Sequence, residues 1–540
     1  MPGARVLATP ELPEGQLNLL RRRTDWRFLL PTPRPGRVLC RASETLTHAV
    51  ASIAGEVITT GPAEDCDLVV AEDPDPDALD ELRSALRPDG ACYTEWRPRV
   101  GGARRVERAL REARFEAVAC YRPWPASAAL PVYWIPVDSP GATAYVRSRR
   151  RLRGGRVRRI LAGARRRALG MARAQYASPI CAVARRAGGP RSGGFEPEAW
   201  LREGWLDWGL GPTPSRLSTL LVTGGPRSIS KVVMLAFAEP SPIPRVAVKA
   251  PRVERAATGI RSEGAVLASL AGRLSVPGVP RLLFRREIEG VPLVGETALD
   301  GRPLDSVLAP RSLGAWSRQV TDWLAGLAGE APARPSADWR AMVVEPMVSR
   351  FVERFGGVVD RGLLREAEDL VREIGDLPPV PEQRDLGPWN VLVTPAGELG
   401  VLDWESAEVD GLPALDLLYY LAYAGFYVDH ARDLESRVAS YRRSLDPSTP
   451  TGAVRRECLA RYVDALGLDT ADLGPLRVLV WMIHAHSDYS HAADDIGEPP
   501  PPAVLVRSLH LALWAEEVRH VARGATGHSV SRYPGARAGM

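Results

Sequence analysis

Short apolar runs alternate with helical patterns between Arg37 and Asp138, and this alternation predicts a parallel α/β sheet. Two stretches between the runs, 77–86 and 103–114, have the apolar spacing of amphipathic helices. The runs predicted as strands are 37–40, 57–60, 67–70, 91–94 and 132–135. We therefore expect an α/β domain over residues 37–140, preceded by an N-terminal leader of residues 1–36.

The next stretch is basic: from Arg147 to Arg173 the chain has twelve arginines and no acidic residue. Its apolar positions fit a solvated helix lying on a neighbouring domain. Contact with an anionic membrane is an alternative, and nucleic acid ranks below it because no stacking aromatic residues interleave with the arginines. Residues 188–194 are rich in Gly and Pro. Residues 141–200 are accordingly predicted as an Arg-rich helix and a linker.

After the linker the pattern becomes antiparallel, with strands predicted at 217–222, 230–237 and 245–249 and a helix at about 258–271. From Leu304 onward the chain is mostly helical, and one hairpin interrupts the helices near residues 390–404. We expect an α+β arrangement of two lobes with a cleft between them. Residues 201–303 would form the smaller lobe and 304–520 the helical lobe, followed by a tail of residues 521–540.

The hairpin brings polar residues together. Pairing across a turn at residues 395–398 predicts that Asn390 lies opposite Asp403. An amide oxygen and a carboxylate at that spacing can share Mg²⁺, which prefers oxygen ligands. Asp385, in the loop entering the hairpin, is the candidate for the base that orients a hydroxyl group.

Composition adds a second group of candidates. Only two of the 70 basic residues are lysines, Lys231 and Lys249. Lys249 ends a predicted buried strand, and Glu263 lies on the apolar side of the following helix, where a buried carboxylate needs a partner. An ion pair between them would hold the ammonium group toward the phosphates of a nucleotide, whereas Lys231 is predicted to be exposed. The turn at Thr223, Gly224 and Gly225 could cover those phosphates with backbone N–H groups.

Three segments together resemble one known family: QRDLGPWN at 383–390, VLDWE at 401–405 and LPALD at 412–416. They are similar to the catalytic segment of the aminoglycoside phosphotransferase and choline kinase-like family, whose members have the protein-kinase-like fold. The resemblance spans about residues 200–520. It implies that Asp385 is the catalytic base and that Asn390 and Asp403 hold Mg²⁺. It also implies that Lys249 and Glu263 position the phosphates of ATP, and that the carboxylate of Asp416 is structural.

Two features depart from that family. Where the family usually has His-Gly-Asp, this chain has Gln383, Arg384 and Asp385. The family's histidine supports the loop, and a glutamine can still donate a hydrogen bond. The turn at Thr223 lacks a full GxGxxG pattern. A nucleotide-binding pseudokinase, acting as a binding or regulatory module, is therefore the alternative to an active kinase.

The first domain carries a second resemblance. LRPDG at 86–90, together with the strand at 67–70, is similar to the later half of a class I S-adenosylmethionine-dependent methyltransferase, which has a Rossmann-like fold. The segment from Cys40 to Glu44 has no glycine where that family has its glycine-rich loop. We expect a degenerate, non-catalytic domain, and a working methyltransferase is the second alternative.

These observations favour a small-molecule kinase that uses ATP and Mg²⁺. Helical sequence resumes by Leu412, nine residues after Asp403, so the chain has no room for the long activation loop on which protein kinases bind peptides. The acceptor is expected to be a hydroxylated small molecule such as an aminoglycoside, a sugar or an amino alcohol. A net charge of +5 and no signal or membrane-spanning segment predict a soluble, cytoplasmic protein.

Overall fold

The computed structural model describes residues 5–7, 12, 14–97, 102–125, 130–152, 179–188, 197–224, 231–271, 276–329, 339–496 and 498–529. The chain divides into two compact units. The first consists of Met1–Gly264 and Pro280–Asp300, and the second of Ala265–Val279 and Gly301–Met540. Each unit thus draws on two separate stretches of the chain.

In the described part of the first unit, thirteen strands form one sheet. In chain order they are β1 (Arg5–Leu7), β2 (Arg37–Arg41), β3 (Glu56–Thr60), β4 (Cys66–Glu72), β5 (Leu86–Trp96), β6 (Phe115–Trp124), β7 (Tyr133–Pro136), β8 (Ile180–Arg186), β9 (Leu217–Val222), β10 (Lys231–Ala238), β11 (Pro244–Pro251), β12 (Leu282–Ile288) and β13 (Val291–Thr297). Their order across the sheet is β1-β3-β2-β4-β5-β8-β6-β7-β9-β10-β11-β13-β12. The predicted parallel sheet is present only in part: β3, β2, β4 and β5 are parallel neighbours, whereas β8, β6 and β7 pair antiparallel.

Helices cover this sheet. They are α1 (Glu14–Arg23), α2 (Glu44–Ala51), α3 (Pro76–Ala85), α4 (Gly102–Glu112), α5 (Pro140–Leu152), α6 (Pro197–Gly204) and α7 (Ala257–Ala271), which continues into the second unit. The start of α3 shows why these segments are helical: the side chain of Asp75 accepts a hydrogen bond from the N–H of Ala78, and Pro76 occupies the first turn. Leu82 of α3 and Leu110 of α4 are both fully buried in one hydrophobic cluster. The apolar spacing that predicted these two helices therefore marks their core-facing sides.

The segment predicted as a leader is folded into the first unit. Trp26 is fully buried and stacks on Tyr93 of β5, with ring centroids 3.6 Å apart. The carboxylate of Asp25 accepts hydrogen bonds from Nε of Arg252 at 3.0 and 3.1 Å, and both side chains are buried. The carbonyl of Arg252 in turn accepts a hydrogen bond from Arg27. The leader prediction missed these contacts because they join residues that are distant in sequence, and the contacts with Arg252 span more than 200 positions.

The first unit also contradicts the predicted boundary between an N-terminal domain and the smaller lobe. Strand β7 pairs with β9, where Tyr133 and Trp134 lie opposite Val222 and Leu221. Part of the predicted linker, Ile180–Arg186, is strand β8 and lies between β5 and β6. The sheet therefore runs without interruption from the α/β part into the antiparallel part. The arginine-rich prediction falls mainly on residues 153–178, which lie outside the described residues.

The second unit is mainly helical, as the sequence predicts. Its helices are α8 (Leu313–Gly329), α9 (Glu345–Phe355), α10 (Arg361–Arg372), α11 (Leu415–Val428), α12 (Leu434–Leu445), α13 (Pro450–Leu466), α14 (Leu473–Ile496), α15 (Pro502–Leu505) and α16 (Leu509–Ser529). Two small sheets are formed by β14 (Arg302–Pro303), β16 (Val391–Val393) and β17 (Leu399–Val401), and by β15 (Val380–Glu382) with β18 (Glu408–Gly411). Helix α11 is buried along most of its length and lies at the centre of this unit.

The predicted hairpin exists, but its register differs by one residue. Val391 pairs with Val401, and the N–H of Leu402 donates to the carbonyl of Asn390, so Asn390 lies opposite Leu402 and not Asp403. The register differs because the turn is one residue shorter than predicted: the N–H of Thr394 donates to the carbonyl of Glu398, and the carbonyl of Thr394 accepts a hydrogen bond from the N–H of Gly397. A one-residue slip would send a regular strand residue to the opposite face. Asp403, however, has φ 62°, which lies outside the extended conformation. The alternation of faces along a strand therefore does not decide the direction of its side chain.

Among the helices of the described residues, none is both long and apolar enough to span a bilayer.

Removing the carboxylate of Asp25 tests whether the N-terminal segment stabilises the first unit. Asp25→Ala leaves the buried guanidinium of Arg252 without this charge, so we expect the free energy of unfolding to fall by about 3 kcal/mol. Urea denaturation of the full chain measures this change. Glu287→Ala is the matched control because it removes an exposed ion pair with Arg261, and its effect should stay below about 1 kcal/mol. Equal effects of the two substitutions would contradict the proposed stabilisation.

Candidate active site

A loop between β15 and β16 carries Asp385, the predicted catalytic residue, and the side chain of Gln383 binds the backbone of this loop. Gln383 is fully buried. Its Nε2 donates to the carbonyls of Leu402 and Asp403 at 2.9 and 2.5 Å, while its Oε1 accepts from the N–H of Asp385 at 2.9 Å. One amide thus ties the start of the loop to the end of the hairpin. This is the supporting role that the resemblance gives to a histidine at this position.

Asp416, near the start of α11, binds the same loop through its backbone. Its two oxygens accept hydrogen bonds from the N–H groups of Gln383 and Arg384 at 2.6 and 2.8 Å. Burial, and then the nearby carboxylate of Glu382, raise the pKa of Asp416 to about 7, although the two N–H donors oppose the shift. The structural role that the resemblance implies for this carboxylate matches these contacts.

Arg384 adopts a conformation that suits glycine. Its φ is 68°, in the left-handed region, at the position where the resembling family has the glycine of His-Gly-Asp. Ion pairs hold the side chain: Nε lies 2.7 Å from Glu382, and Nη1 lies 3.2 Å from Glu408. Glu382 also accepts from the N–H of Leu412. These contacts offset the cost of a side chain at this backbone angle.

Asp385 accepts hydrogen bonds at both carboxylate oxygens. Tyr419 of α11 donates its hydroxyl to Oδ1 at 3.0 Å, and Nδ2 of Asn390 donates to Oδ2 at 2.9 Å. Burial is the main cause that raises the pKa of Asp385, and the negative charge of Asp403 raises it further. Hydrogen bonds from Tyr419, Asn390 and Trp389 oppose this rise. A fixed carboxylate with a raised pKa is suited to orient and accept the proton of a hydroxyl group.

Asn390 and Asp403 are the predicted metal ligands, and the donors present fit a hard cation. Nδ2 of Asn390 donates to both the carbonyl and the carboxylate of Asp385, which leaves its amide oxygen as the atom suited to a cation. The backbones of Asp403 and Asp385 are joined through the side chain of Gln383, and the negative charge of Asp403 raises the pKa of Asp385. Within the described residues, no cluster of three or more His, Cys, Asp or Glu side chains could hold a metal. A cation here would therefore take its other ligands from phosphates and water, as Mg²⁺ commonly does.

In the first unit, Lys249 makes the predicted ion pair with Glu263, at 2.5 Å from Nζ to Oε1. Two further residues of this cluster were not predicted. Glu296 of β13 lies 2.8 Å from Lys249, and Lys231 of β10 lies 3.9 Å from Glu263. The expectation that Lys231 is exposed is wrong, since only 10% of its side chain is accessible. The two lysines of the chain therefore meet at one buried carboxylate, a clustering that the rarity of lysine could have indicated.

The predicted phosphate turn is supported less well. The N–H of Thr223 donates to the carbonyl of Val132, and its hydroxyl donates to the carbonyl of Pro131. Neither group is directed to a phosphate, because the β7–β9 pairing extends to this residue. Gly224 is described and half-buried, and Gly225 lies outside the described residues.

Tyr419 is the residue of the second unit that the sequence analysis missed. It follows Asp416 by three positions on α11, so both side chains lie on one face of the helix. Trp389 packs against the same helix, with its ring centroid 6.2 Å from Tyr419 and 5.0 Å from Tyr423. The i, i+3 spacing from Asp416 is the signal that could have identified Tyr419.

The part of the chain that holds these residues is similar to a known family. Residues 222–454 match the family described as "Phosphotransferase enzyme family". The match supports the kinase-like prediction for this part, and it includes Lys249, Glu263, Asp385, Asn390 and Asp403. A search of curated proteins finds no match.

Solved structures of aminoglycoside phosphotransferases are similar to part of the chain. One is a thermostable mutant of APH(4)-Ia in a ternary complex with ADP and hygromycin B; it is 14% identical, and the match covers 61% of this chain and 99% of that one, with a TM-score of 0.38. Another is the GDP and kanamycin complex of APH(2")-IIIa, 14% identical, with 60% and 98% covered and a TM-score of 0.32.

The pH dependence of stability tests the environment of Asp416. Because its folded-state pKa of about 7 lies above the ordinary 3.8, the folded state binds the proton more tightly, and this contribution to stability is lost as the pH rises from about 4 to about 7. Asp416→Asn removes that loss, which amounts to roughly 4 kcal/mol over the interval. The difference between the unfolding free energies of the variant and the wild type should therefore change in the variant's favour as the pH rises.

Urea denaturation at a series of pH values gives this comparison. Asp369→Asn is the control, because Asp369 lies on an exposed face of α10 in an ion pair with Arg372. Curves for wild type and Asp416→Asn that stay parallel from pH 4 to 7 would show that the pKa of Asp416 is not raised.

Proposed function

We propose that this protein is an ATP- and Mg²⁺-dependent O-phosphotransferase that transfers the γ-phosphoryl group to a hydroxyl of a small molecule. The observation that carries the proposal is the arrangement of Asp385, Asn390 and Asp403 around one loop whose backbone is fixed by Gln383 and Asp416. The family match to residues 222–454 supports the same class of reaction.

Each residue has a distinct role in this proposal. Asp385 orients the acceptor hydroxyl and receives its proton as the oxygen attacks phosphorus, while Tyr419 and Asn390 hold the carboxylate in place. Asn390 and Asp403 would hold Mg²⁺ through oxygen atoms. Bound there, Mg²⁺ would offset the negative charge of the phosphates.

Lys249 would position the nucleotide phosphates. Its ammonium group is held by Glu263 and Glu296, so its location is set before any ligand binds. Lysine acts on phosphate as a point charge, whereas arginine would demand a planar, forked site. That difference is a physical reason for a lysine here in a chain whose other cations are nearly all arginines.

A small acceptor is favoured over a protein because the segment after Asp403 is short and folded. Strand β18 pairs with β15, and α11 begins at Leu415. The names of the similar structures mention hygromycin B and kanamycin as ligands of those proteins. We propose an acceptor of the hydroxylated small-molecule class, which includes aminoglycosides, sugars and amino alcohols.

The test is ATP consumption with a panel of aminoglycosides, sugars and small alcohols. Asp385→Asn should lower phosphate transfer to the active acceptor by about 100-fold or more, because it removes the proton acceptor, and should leave the affinity for Mg²⁺·ATP nearly unchanged. Asp410→Asn is the matched control: it neutralises an exposed acid of the same unit and should retain activity.

Two results would contradict the proposal. A wild-type protein that binds ATP but does not consume it with any acceptor of the panel would favour a pseudokinase. Equal transfer rates for Asp385→Asn and wild type would remove Asp385 from the proposed role.

A further inference from the structure

A pocket lies within the first unit, and none of the residues that the proposed reaction uses lines it. Its volume is about 640 Å³, within the range of about 300–1,000 Å³ that is typical of small-molecule sites. Three stretches and Val291 line it: the stretches are residues from Arg21 to Pro35, residues 52–55 after α2, and residues 251–255 at the end of β11. These stretches are distant in sequence, so the pocket exists only because the N-terminal segment is packed against the sheet.

The lining of this pocket is strongly basic. Its charged residues are one acid, Glu254, and five arginines: Arg21, Arg27, Arg34, Arg252 and Arg255. Glu254 pairs with Arg34 at the rim, and buried Asp25 pairs with Arg252 behind the wall. Among the described residues named here, five are arginines and two are acids.

Two of these arginines are fixed in the wall. Arg27 and Arg252 are 4% and 3% exposed, and the carbonyl of Arg252 accepts a hydrogen bond from Arg27. Burial, together with repulsion from Arg252 and two other arginines, lowers the pKa of Arg27 to about 10, and the charge of Asp25 opposes this shift. Bringing buried cations this close is unfavourable, and an anion in the pocket would relieve the repulsion.

Apolar side chains also line the pocket. Phe28, Ile53 and Val291 contribute apolar surface beside the arginines. A pocket of this kind fits an organic ligand with an anionic group better than it fits a bare ion.

The position of the pocket separates it from the sites considered above. Pro35 lies two residues before β2 and Gly55 immediately precedes β3, so the pocket lies at the amino ends of these parallel strands. Ligands of α/β sheets ordinarily bind at the carboxyl ends. At that opposite edge Arg41 donates to the carbonyls of Thr59 and Gly61.

We propose that this pocket is a binding site for a small organic molecule that carries phosphate groups. Guanidinium groups bind phosphate oxygens in pairs, and Arg34 and Arg255 are exposed at the rim, where they can reach a ligand. Arg27 and Arg252 provide fixed positive charge behind them. The site does not depend on phosphate transfer by the second unit.

Isothermal titration of the full chain with inorganic pyrophosphate, in EDTA, tests the charge-recognition part of this site. We expect one molecule to bind, and the double variant Arg34→Ala/Arg255→Ala to raise the Kd by about tenfold or more, because each lost arginine removes charge-assisted hydrogen bonds. Both side chains are exposed, so the variant should fold. The matched control, Arg202→Ala/Arg261→Ala, removes two exposed arginines of the same unit that do not line the pocket and should change the Kd less than about twofold.

Hydrogen exchange then locates the bound pyrophosphate. We expect slower exchange at the amides of Arg34, Gly36 and residues 53–55, and no change at the amides of residues 385–392. Absence of binding to the wild type, equal loss in the two double variants, or protection confined to residues outside the pocket would each overturn the proposal. Failure to find an acceptor for phosphate transfer would leave it intact.

Discussion

The buried amide of Gln383 is the constraint on which the candidate active site depends. Its nitrogen binds the two carbonyls that end the hairpin, those of Leu402 and Asp403, and its oxygen binds the N–H of Asp385. Leaving any one of these backbone groups buried without a partner would lower the free energy of unfolding by about 1–3 kcal/mol. The positions of Asp385 and Asp403 are therefore coupled through a residue that takes no part in the chemistry. Asp416 completes the arrangement by binding the two preceding N–H groups, those of Gln383 and Arg384.

This arrangement explains how the chain can depart from the His-Gly-Asp pattern. Glutamine presents both a donor and an acceptor, so it satisfies three backbone groups at once. Arg384 occupies a left-handed backbone position that favours glycine, and its side chain is held by two glutamates. Both departures are thus compensated by local contacts, which favours an active loop over a degenerate one.

Local patterns in the sequence predicted local features well. Alternating apolar runs located most strands to within a few residues, and the apolar face of α7 identified Glu263 as the partner of Lys249. Features that depend on distant residues were not predictable in this way. The hairpin register was wrong by one because it is set by turn geometry, and Glu296 was missed because it joins the cluster from another strand.

The prediction for the N-terminal region differs most from the structure. The composition near residues 188–194 indicated a linker between separate domains, yet the β7–β9 pairing makes one sheet of both parts. The strand that carries Lys249 leads into Arg252, whose side chain donates hydrogen bonds to Asp25 of the N-terminal segment. The N-terminal region is therefore part of the framework that supports Lys249, whether or not it has a chemistry of its own.

The most direct measurement for the central claim compares Gln383→His with Gln383→Leu in phosphate transfer. Histidine can restore hydrogen bonds to the loop, whereas leucine fills the space and makes none. The account predicts that Gln383→His keeps most of the transfer rate and that Gln383→Leu loses about tenfold or more, with Mg²⁺·ATP still bound. Wild-type transfer by a folded Gln383→Leu protein would contradict the claim that this amide positions the catalytic loop.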